Sequence, residues 1–285
     1  MGNLKEFAKK SLPLWVWRRL RVARNWWHVR FYSNRTVSHT YGGFPLKVLL
    51  ADGMGAGWYD HDWPELPEIA LLKRGRLKPG ARVFDLGAHQ CIVAMMLAKI
   101  VGPDGQVVAL EANRHNAEIG ERNRVLNRIE NLRVVSAAVA REAGTIVFSR
   151  GLNAKVDKGD GAFGRTSVPA FSVDDLASTH GTPAVLFIDV EGFECEVLRG
   201  AHETLSSAPD LFVEVHTRCG LEDYGGSCRE LYEVLSSYRY VLFAAPGDTS
   251  NFVEIHSPDQ FPEKRFYLVA TSKGARDSVQ VSESL

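Results

Sequence analysis

The stretch RVFDLGAHQCIVAMMLAKIVGPDGQVVALEA, residues 82–112, predicts a strand, a helix and a second strand. Residues 82–88 are an apolar run that ends in a glycine turn, and residues 91–102 form an apolar helix pattern that a Gly-Pro pair ends. Residues 106–112 are a second apolar run of strand length. Because two strands that are joined through a helix run parallel in one sheet, this stretch predicts an α/β fold with helices on both faces of the sheet.

The same alternation extends outward from this stretch in both directions. Upstream, residues 44–52 predict a strand and residues 66–77 an amphipathic helix, while the glycine cluster DGMGAG at 52–57 is interpreted as a hairpin turn. Downstream, strands and helices keep alternating, as in βαβ units. The last two strand patterns, 238–245 and 265–271, have no helix between them, so they predict an antiparallel hairpin that closes one edge of the sheet.

The composition is that of a globular protein with an uneven distribution of charge. The chain has 285 residues, of which 45% are hydrophobic, and its formal net charge is zero. Residues 1–35 contain nine Lys or Arg and one Glu, so this segment carries +8 and the rest of the chain −8. No run of 18 apolar residues predicts a membrane span, and the four cysteines lack zinc-type CxxC spacing. We therefore expect a cytoplasmic protein, with peripheral contact at the inner membrane surface as an open alternative.

The basic segment at residues 1–35 has three interpretations that the sequence leaves open. Its tryptophans lie among arginines, which suits an anionic membrane surface, a lid over a substrate, or a contact between the subunits of a homodimer. The predicted division of the chain is an N-terminal extension at 1–64, a main domain at 65–272 and a flexible polar tail at 273–285.

Acidic residues stand where four of the predicted parallel strands end. They are Asp85, Glu111, Asp189 with Glu191, and Glu214, which is followed by His216. In an open α/β sheet, ligands bind outside the carboxyl ends of the strands, near the point where the strand order reverses. We therefore expect these carboxylates to converge on one crevice.

The first two strand ends indicate the kind of cofactor. Glu111 closes the second strand about 20 residues beyond the glycine turn and can accept both hydroxyls of an adenosine ribose, although an acid favoured by the following helix dipole is the alternative. The turn has a single glycine, Gly87, whereas a pyrophosphate site requires GxGxxG. Asp85 suits a cationic or amino-acid group better than a diphosphate. These features predict S-adenosylmethionine rather than NAD.

Six segments of the chain carry a resemblance to a known family. They are VFDLGAHQCIVAMMLA, VVALEANRHNAEIGERNRVLN, NLRVVSAAVA, SVDDL, FIDVEGFECEVLRGAHETL and DLFVEVH. In this order, over about residues 65–245, they resemble the FkbM family of S-adenosylmethionine-dependent methyltransferases. The resemblance implies a class I methyltransferase fold, a Rossmann-like sheet of seven mostly parallel strands with an antiparallel C-terminal hairpin. It also implies O-methylation of hydroxyls on sugars or polyketide-type metabolites.

Two residues depart from the family pattern. Cys91 stands where the family usually has the second glycine of the cofactor turn, so the methionine end must tolerate a thiol there. Phe187 stands where many members carry a lysine, so any catalytic use of that lysine is lost.

The chain also lacks the Asn/Asp-Pro-Pro-Tyr/Phe motif of methyltransferases that act on base amino groups, and we expect no nucleic-acid partner.

The strand ends and the resemblance together predict the site residues. The predicted cofactor-binding residues are Asp85, Gly87, Ala88, His89, Glu111, Ala112, Ala137 and Asp189. Asp189 is also predicted as the acceptor-side catalytic carboxylate, and His216 as the other candidate base. Glu191 and Glu194 are interpreted as acids that cap and charge the next helix, with Glu191 and Glu214 as alternative contacts to the acceptor. No metal is expected, although Asp189, Glu191, Glu214 and His216 could hold a divalent cation.

The sequence therefore predicts an S-adenosylmethionine-dependent O-methyltransferase that acts on a hydroxyl of a sugar, glycolipid or related small metabolite. Two alternatives remain open. One is a nicotinamide-dependent oxidoreductase on a related fold, which the missing glycines disfavour. The other is a non-catalytic adaptor that docks on membranes through its basic segment and has a methyltransferase-like body.

Overall fold

The computed structural model describes residues 32–149, 165–247, 249 and 251–272. Residues 1–31 of the basic segment and the predicted tail lie outside the described residues, so their predicted roles remain predictions. Among the described residues, no helix combines the length and the apolar character needed to cross a bilayer.

The described chain forms thirteen strands and eight α-helices, with two short 3-10 helices. The strands are β1 (Arg35–Tyr41), β2 (Phe44–Leu50), β3 (Arg82–Leu86), β4 (Gln106–Leu110), β5 (Leu132–Val135), β6 (Ala138–Val139), β7 (Gly144–Ser149), β8 (Arg165–Phe171), β9 (Val185–Ile188), β10 (Asp210–Val215), β11 (Tyr240–Pro246), β12 (Val253–Ile255) and β13 (Phe266–Ser272). The helices are α1 (Gly53–Tyr59), α2 (Pro67–Arg74), α3 (Ile92–Val101), α4 (Arg114–Leu126), α5 (Val173–His180), α6 (Glu194–Arg199), α7 (His202–Ser206) and α8 (Cys228–Ser237).

The main sheet has eight strands in the order β12-β11-β13-β10-β9-β3-β4-β5. Strands β3, β4, β5, β9 and β10 pair in parallel, whereas β13 is antiparallel to both of its neighbours, β10 and β11. This arrangement confirms the predicted class I methyltransferase sheet and its antiparallel C-terminal hairpin. Within the hairpin, β13 lies inside the sheet, and the short strand β12 from the connecting loop adds an eighth strand at the edge.

Helices cover both faces of this sheet because successive strand residues point to opposite sides. On one face, Phe84 packs in a buried cluster with Leu198 of α6. On the other face, Val83 packs in a second cluster with Met95 of α3. Both faces of the sheet are therefore apolar and covered. The polar groups lie outside these faces, at the carboxyl ends of the parallel strands.

The N-terminal hairpin β1–β2 packs against the same face as α3. Its residues Tyr41, Val48 and Leu50 are fully buried in the cluster that contains Met95. The strand predicted at 44–52 is confirmed over Phe44–Leu50, and the hairpin contributes directly to the core that covers one face of the main sheet.

The glycine cluster at 52–57 is not a hairpin turn, as the sequence analysis expected, but the beginning of helix α1. The Asp52 carboxylate caps this helix by accepting hydrogen bonds from the amides of Met54 and Gly55 at 2.9 and 2.8 Å. A side chain at position 55 would place its Cβ 2.7 Å from the Gln90 amide oxygen. Gly55 thus permits a close contact between α1 and the turn after β3, and that contact is not visible in the local sequence.

A second, smaller sheet has the order β6-β8-β7. Its strand β7 has the sequence GTIVFS, an apolar run of strand length, and β8 pairs with it in the antiparallel direction. The buried residues Ala138 and Phe148 of this sheet lie beside the end of β4. The small sheet therefore forms one wall of the candidate site.

Candidate active site

Two adjoining cavities lie at the carboxyl ends of the parallel strands. The first is lined by residues from the ends of β3, β4 and β9 and from the small sheet. The second, of about 580 Å³, is lined by residues from the ends of β3, β9 and β10 together with α1 and α2. That volume is within the usual range of small-molecule sites, roughly 300–1,000 Å³. The residues that line both cavities are Trp58, Gly87, His89, Asp189 and Glu191.

Glu111 stands in the first cavity in a fixed orientation. One carboxylate oxygen accepts a hydrogen bond from the His89 amide and the other from the Asn113 amide, both at 2.7 Å. Each carboxylate oxygen has two lone pairs, so each can accept one more hydrogen bond. Burial raises the pKa of Glu111 to about 7, against the lowering effect of the two backbone hydrogen bonds. The N-cap of α4 is Asn113, so this helix does not use Glu111 as its cap.

The glycine turn after β3 is required by packing as well as by the proposed cofactor. Gly87 has φ +95°, and a Cβ there would lie 1.7 Å from the carbonyl oxygen of Asp189. The amides of Gly87 and Ala88 both donate to the carbonyl of Leu110 at 2.9 Å. The turn therefore joins the ends of β3, β4 and β9 at one point, which lies between the two cavities.

The departure at Cys91 has a simple structural explanation. Cys91 is fully buried, has φ +64° and contributes to neither cavity. Its Sγ lies against Gly120 of α4, where a Cβ would be only 2.5 Å from the sulfur. The thiol thus fills space between α3 and α4 and does not point at the methionine end of a cofactor.

Asp85 and His89 line the second cavity from the turn side. Asp85 is 3% exposed, and its Oδ2 is buried without a hydrogen-bond partner among the described residues. Burial raises its pKa to about 7. His89 contacts the Tyr59 hydroxyl through Nδ1 at 2.7 Å, and burial lowers its pKa to about 4. His89 is therefore a neutral side chain at physiological pH, and Asp85 retains acceptor capacity towards the cavity.

The ends of β9 and β10 bring the predicted catalytic residues together. Nε2 of His216 lies 3.8 Å from one carboxylate oxygen each of Asp189, Glu191 and Glu214. Part of the Asp189 side chain reaches solvent, yet its Oδ1 is buried and has no hydrogen-bond partner within the described chain. Arg265 contacts Glu214 at 3.1 Å from the outer side. The expected convergence of these carboxylates with the histidine is what the structure shows.

Glu194 has a different position from the one that the sequence analysis expected. It lies in the first turn of α6, but the N-cap is Phe193, and no side chain caps this helix. The Glu194 side chain is fully buried, accepts the Gly192 amide at 2.9 Å and contacts Nδ1 of His216 at 2.7 Å. Glu191 likewise does not cap the helix, since its carboxylate faces His216. The interpretation of both residues as helix caps is therefore wrong, although Glu194 does place an acidic group in the first turn of the helix.

The charge state of His216 follows from these neighbours. Burial lowers its pKa, but the hydrogen bond to Glu194 and the charges of Glu194, Asp189 and Glu214 together raise it to about 9. Burial and the nearby Glu214 raise the pKa of Asp189 well above its ordinary range. These carboxylates therefore favour the imidazolium form of His216. A cation in this state stabilises the carboxylates and cannot accept a proton.

Several residues of the site come from elements that the sequence analysis did not connect with it. Trp58 of α1 is 44% exposed, lines both cavities and lies 5.0 Å from the His89 ring, centroid to centroid. Glu68 of α2 is buried in the wall of the second cavity, and burial raises its pKa to about 7. Phe187, at the family's lysine position, stacks on Phe212 at 4.2 Å. Only the Phe187 substitution was visible in the sequence, because the other contacts join distant parts of the chain.

Comparison with known proteins identifies one sequence family, and several solved structures show a partial likeness. The sequence model of the FkbM methyltransferase domain matches residues 85–242, over half of the chain. A precorrin-6y C5,15-methyltransferase from Geobacter metallireducens GS-15 is 14% identical, with a TM-score of 0.45 over 74% of this chain and 89% of that one. An FkbM methyltransferase from Methylobacillus flagellatus KT is 16% identical, with a TM-score of 0.44 over 67% and 43%. Fibrillarin from Aeropyrum pernix, solved with natively bound S-adenosyl-L-methionine, is 14% identical, with a TM-score of 0.43 over 84% and 83%.

Proposed function

The chain belongs to the FkbM family of methyltransferases, and on that premise we propose that it methylates a hydroxyl group of a sugar, glycolipid or related small metabolite. The methyl donor is S-adenosylmethionine. The observation that carries the proposal is the meeting of the two cavities at Gly87 and Asp189. One cavity offers the acceptors that a ribose needs, and the other offers carboxylates for an acceptor hydroxyl. The family assignment sets aside the alternative of a nicotinamide-dependent oxidoreductase.

The residues of the first cavity fit an adenosine group. Glu111 has one free lone pair on each oxygen, directed by the backbone amides of His89 and Asn113, and can accept the two ribose hydroxyls. Ala112 and Ala137 line the same cavity with small apolar side chains, which suits a flat base. At the turn, the orphaned Oδ2 of Asp85 can accept from an ammonium group. These residues would hold the nucleoside with its sulfur near the boundary between the cavities.

The residues of the second cavity fit a hydroxyl acceptor. S-adenosylmethionine supplies an electrophilic methyl group on a sulfonium centre. Placing a nucleophile in line with that group is the larger part of catalysis, since positioning can contribute about 7–11 kcal/mol. Asp189 lines both cavities, so its carboxylate can hold the acceptor hydroxyl at the boundary and receive its proton. His216, as a cation, favours the ionised form of Asp189, and Glu194 orients the imidazole.

The proposal is tested by binding and by turnover. In calorimetry, the purified chain should bind S-adenosylhomocysteine and should not bind NAD; binding of NAD alone would overturn the cofactor assignment. Methyl incorporation from labelled S-adenosylmethionine into a panel of sugars and glycolipids then measures turnover. If no member of the panel is methylated while the cofactor binds, the non-catalytic adaptor becomes the better interpretation.

The role of Asp189 is tested by Asp189→Asn. Loss of a general base lowers turnover by roughly 10²–10⁴-fold, whereas affinity for S-adenosylhomocysteine should change little. Asp259→Asn is a matched control, because Asp259 is 86% exposed and lines neither cavity. Turnover equal to that of the control would show that Asp189 does not receive the proton.

A further inference from the structure

We propose that Asp189, Glu214 and His216 bind a single divalent transition-metal ion, which would bind the acceptor hydroxyl. The inference rests on the proposed function for the role of the ion, but not for its binding. Each of the three residues offers one ligand atom, and these atoms all lie within 4.8 Å of one another. No metal was predicted here from the sequence, and the orientation of His216 leads us to the opposite proposal.

The first argument is the orientation of the imidazole. His216 is 4% exposed, and Glu194 occupies its Nδ1, so Nε2 is left to face the carboxylates. The nearest oxygens of Asp189 and Glu214 lie 3.8 Å from Nε2. This is longer than an N–H···O hydrogen bond of about 2.7–3.2 Å. It is shorter than about 4.2 Å, the span of two metal–ligand bonds of roughly 2.1 Å on opposite sides of an ion.

A buried carboxylate, Glu194, holds the imidazole of His216 through its Nδ1. A histidine that binds a metal almost always gives its other ring nitrogen to a carboxylate or carbonyl, which sets the tautomer and the ring orientation. Glu194 is in this position, fully buried and held in turn by the Gly192 amide at 2.9 Å. A surface cluster of acids does not require a buried carboxylate of this kind. The arrangement directs the Nε2 lone pair of a neutral His216 into the cluster.

One carboxylate oxygen of Asp189 lacks a hydrogen-bond partner among the described residues. This oxygen, Oδ1, is buried and faces Nε2 of His216. A buried polar atom without a partner destabilises the folded protein, and a bound cation would remove that cost. Arg265 contacts Oε1 of Glu214 at 3.1 Å, the same oxygen that lies 3.8 Å from Nε2 of His216, and so limits its movement. The ligand atoms of His216 and Asp189 are thus buried close together, and that of Glu214 is held near them by a salt bridge.

The donor set indicates which ions would bind. One imidazole with carboxylates suits Zn²⁺ or Mn²⁺, whereas Mg²⁺ favours oxygen ligands and retains most of its waters. An ion at this point would lower the pKa of a bound hydroxyl. The hydroxyl proton would pass to Oδ2 of Asp189 as the oxygen–methyl bond forms and the methyl–sulfur bond breaks. His216 would then act as a ligand, and not as a base.

The experiment is metal binding to the full chain, measured separately from turnover. The protein is treated with a chelator, dialysed and titrated with Zn²⁺, Mn²⁺ and Mg²⁺ by calorimetry, and the bound metal is counted by elemental analysis. We expect one equivalent of Zn²⁺ or Mn²⁺, and Mg²⁺ binding that is at least tenfold weaker. Removal of the supporting carboxylate by Glu194→Gln should weaken binding about 10–100-fold. His216→Gln and Glu214→Gln should weaken it at least as much, and His256→Gln, an exposed control, should not.

The outcomes separate this inference from the proposed function. Thermal melting and S-adenosylhomocysteine binding are measured on the same samples to identify any variant that does not fold. If His216→Gln does not fold, the test rests on Glu194→Gln and Glu214→Gln. If the cofactor binds but no ion saturates at one equivalent, the metal site is wrong and the proposed function stands. If the folded Glu194→Gln and Glu214→Gln variants bind one equivalent of metal as tightly as the wild type, the ion lies elsewhere. That result would also overturn the proposal.

Discussion

Replacement of Glu111 by Gln tests the cofactor site most directly. The change preserves the shape of the side chain but converts one acceptor oxygen into an NH₂ donor. Both oxygens of Glu111 already accept a backbone amide at 2.7 Å. The glutamine NH₂ would therefore face either the His89 amide or the Asn113 amide, donor against donor, and it could not accept the ribose hydroxyl on that side.

The size of the effect follows from this count of hydrogen bonds. A hydrogen bond to a charged group contributes about 1.5–3 kcal/mol, and one between neutral groups about 0.5–1.5 kcal/mol. Glu111→Gln removes one charge-assisted bond to the ribose and makes the other neutral. The expected loss is about 2–4 kcal/mol of binding free energy, or roughly 30- to 700-fold in Kd. The free energy of unfolding should change less than the binding free energy. Burial of the Glu111 carboxylate already costs folding free energy, as its raised pKa shows.

The assay is calorimetric titration of S-adenosylhomocysteine into the wild-type protein, Glu111→Gln and a control. Glu118→Gln serves as the control, because Glu118 is 54% exposed and pairs with Arg114 on the outer surface of α4. The control should bind like the wild type. A Kd for Glu111→Gln within threefold of the control, with the variant folded, would show that Glu111 does not hold the ribose, and the cofactor would then have to lie elsewhere.

The remaining predictions concern the pH dependence of binding and the glycine turn. Ribose hydroxyls donate to the ionised form of Glu111, whose pKa is about 7 in the free protein, so the Kd for S-adenosylhomocysteine should rise as the pH falls below 7, up to about tenfold per unit. Titrations at pH 5.5–8 measure this, and an equally steep rise in Glu111→Gln would assign the dependence to another group. Gly80→Ala should cost about 1–2 kcal/mol of unfolding free energy, since its φ is +82° with open space around it. Gly87→Ala should cost more, because its Cβ would meet the Asp189 carbonyl; equal urea midpoints for the two variants would contradict the close approach of the two turns.

The order of the elements and the position of the site were predictable from local patterns. Apolar runs of strand length alternate with helix patterns, and in a parallel sheet the carboxyl ends of all strands meet at one edge. Asp85, Glu111, Asp189 and Glu214 could therefore be assigned to this edge from the sequence, although the structure divides them between two adjoining cavities. Helix α1 could not, because its glycines indicate a turn locally, and its stability depends on the Asp52 cap and on close packing against Gln90.

Roles within the site depended on contacts between residues that are distant in sequence. Glu194 is typical of a helix start in the sequence, yet the end of β10 places His216 within 2.7 Å of it. Because of that contact, Glu194 orients the imidazole of His216 and raises its pKa. The thiol of Cys91, which the family pattern places at the cofactor turn, packs against Gly120 of α4.

The sequence by itself determined the alternating fold, the family and the edge of the sheet where ligands bind, because periodic apolar patterns and strand ends are local properties of the chain. Only the tertiary structure decided which carboxylate faces which partner. Hydrogen bonding, burial and charge act over a few ångströms between side chains, and in this protein those side chains come from strands, turns and helices that the fold alone brings together.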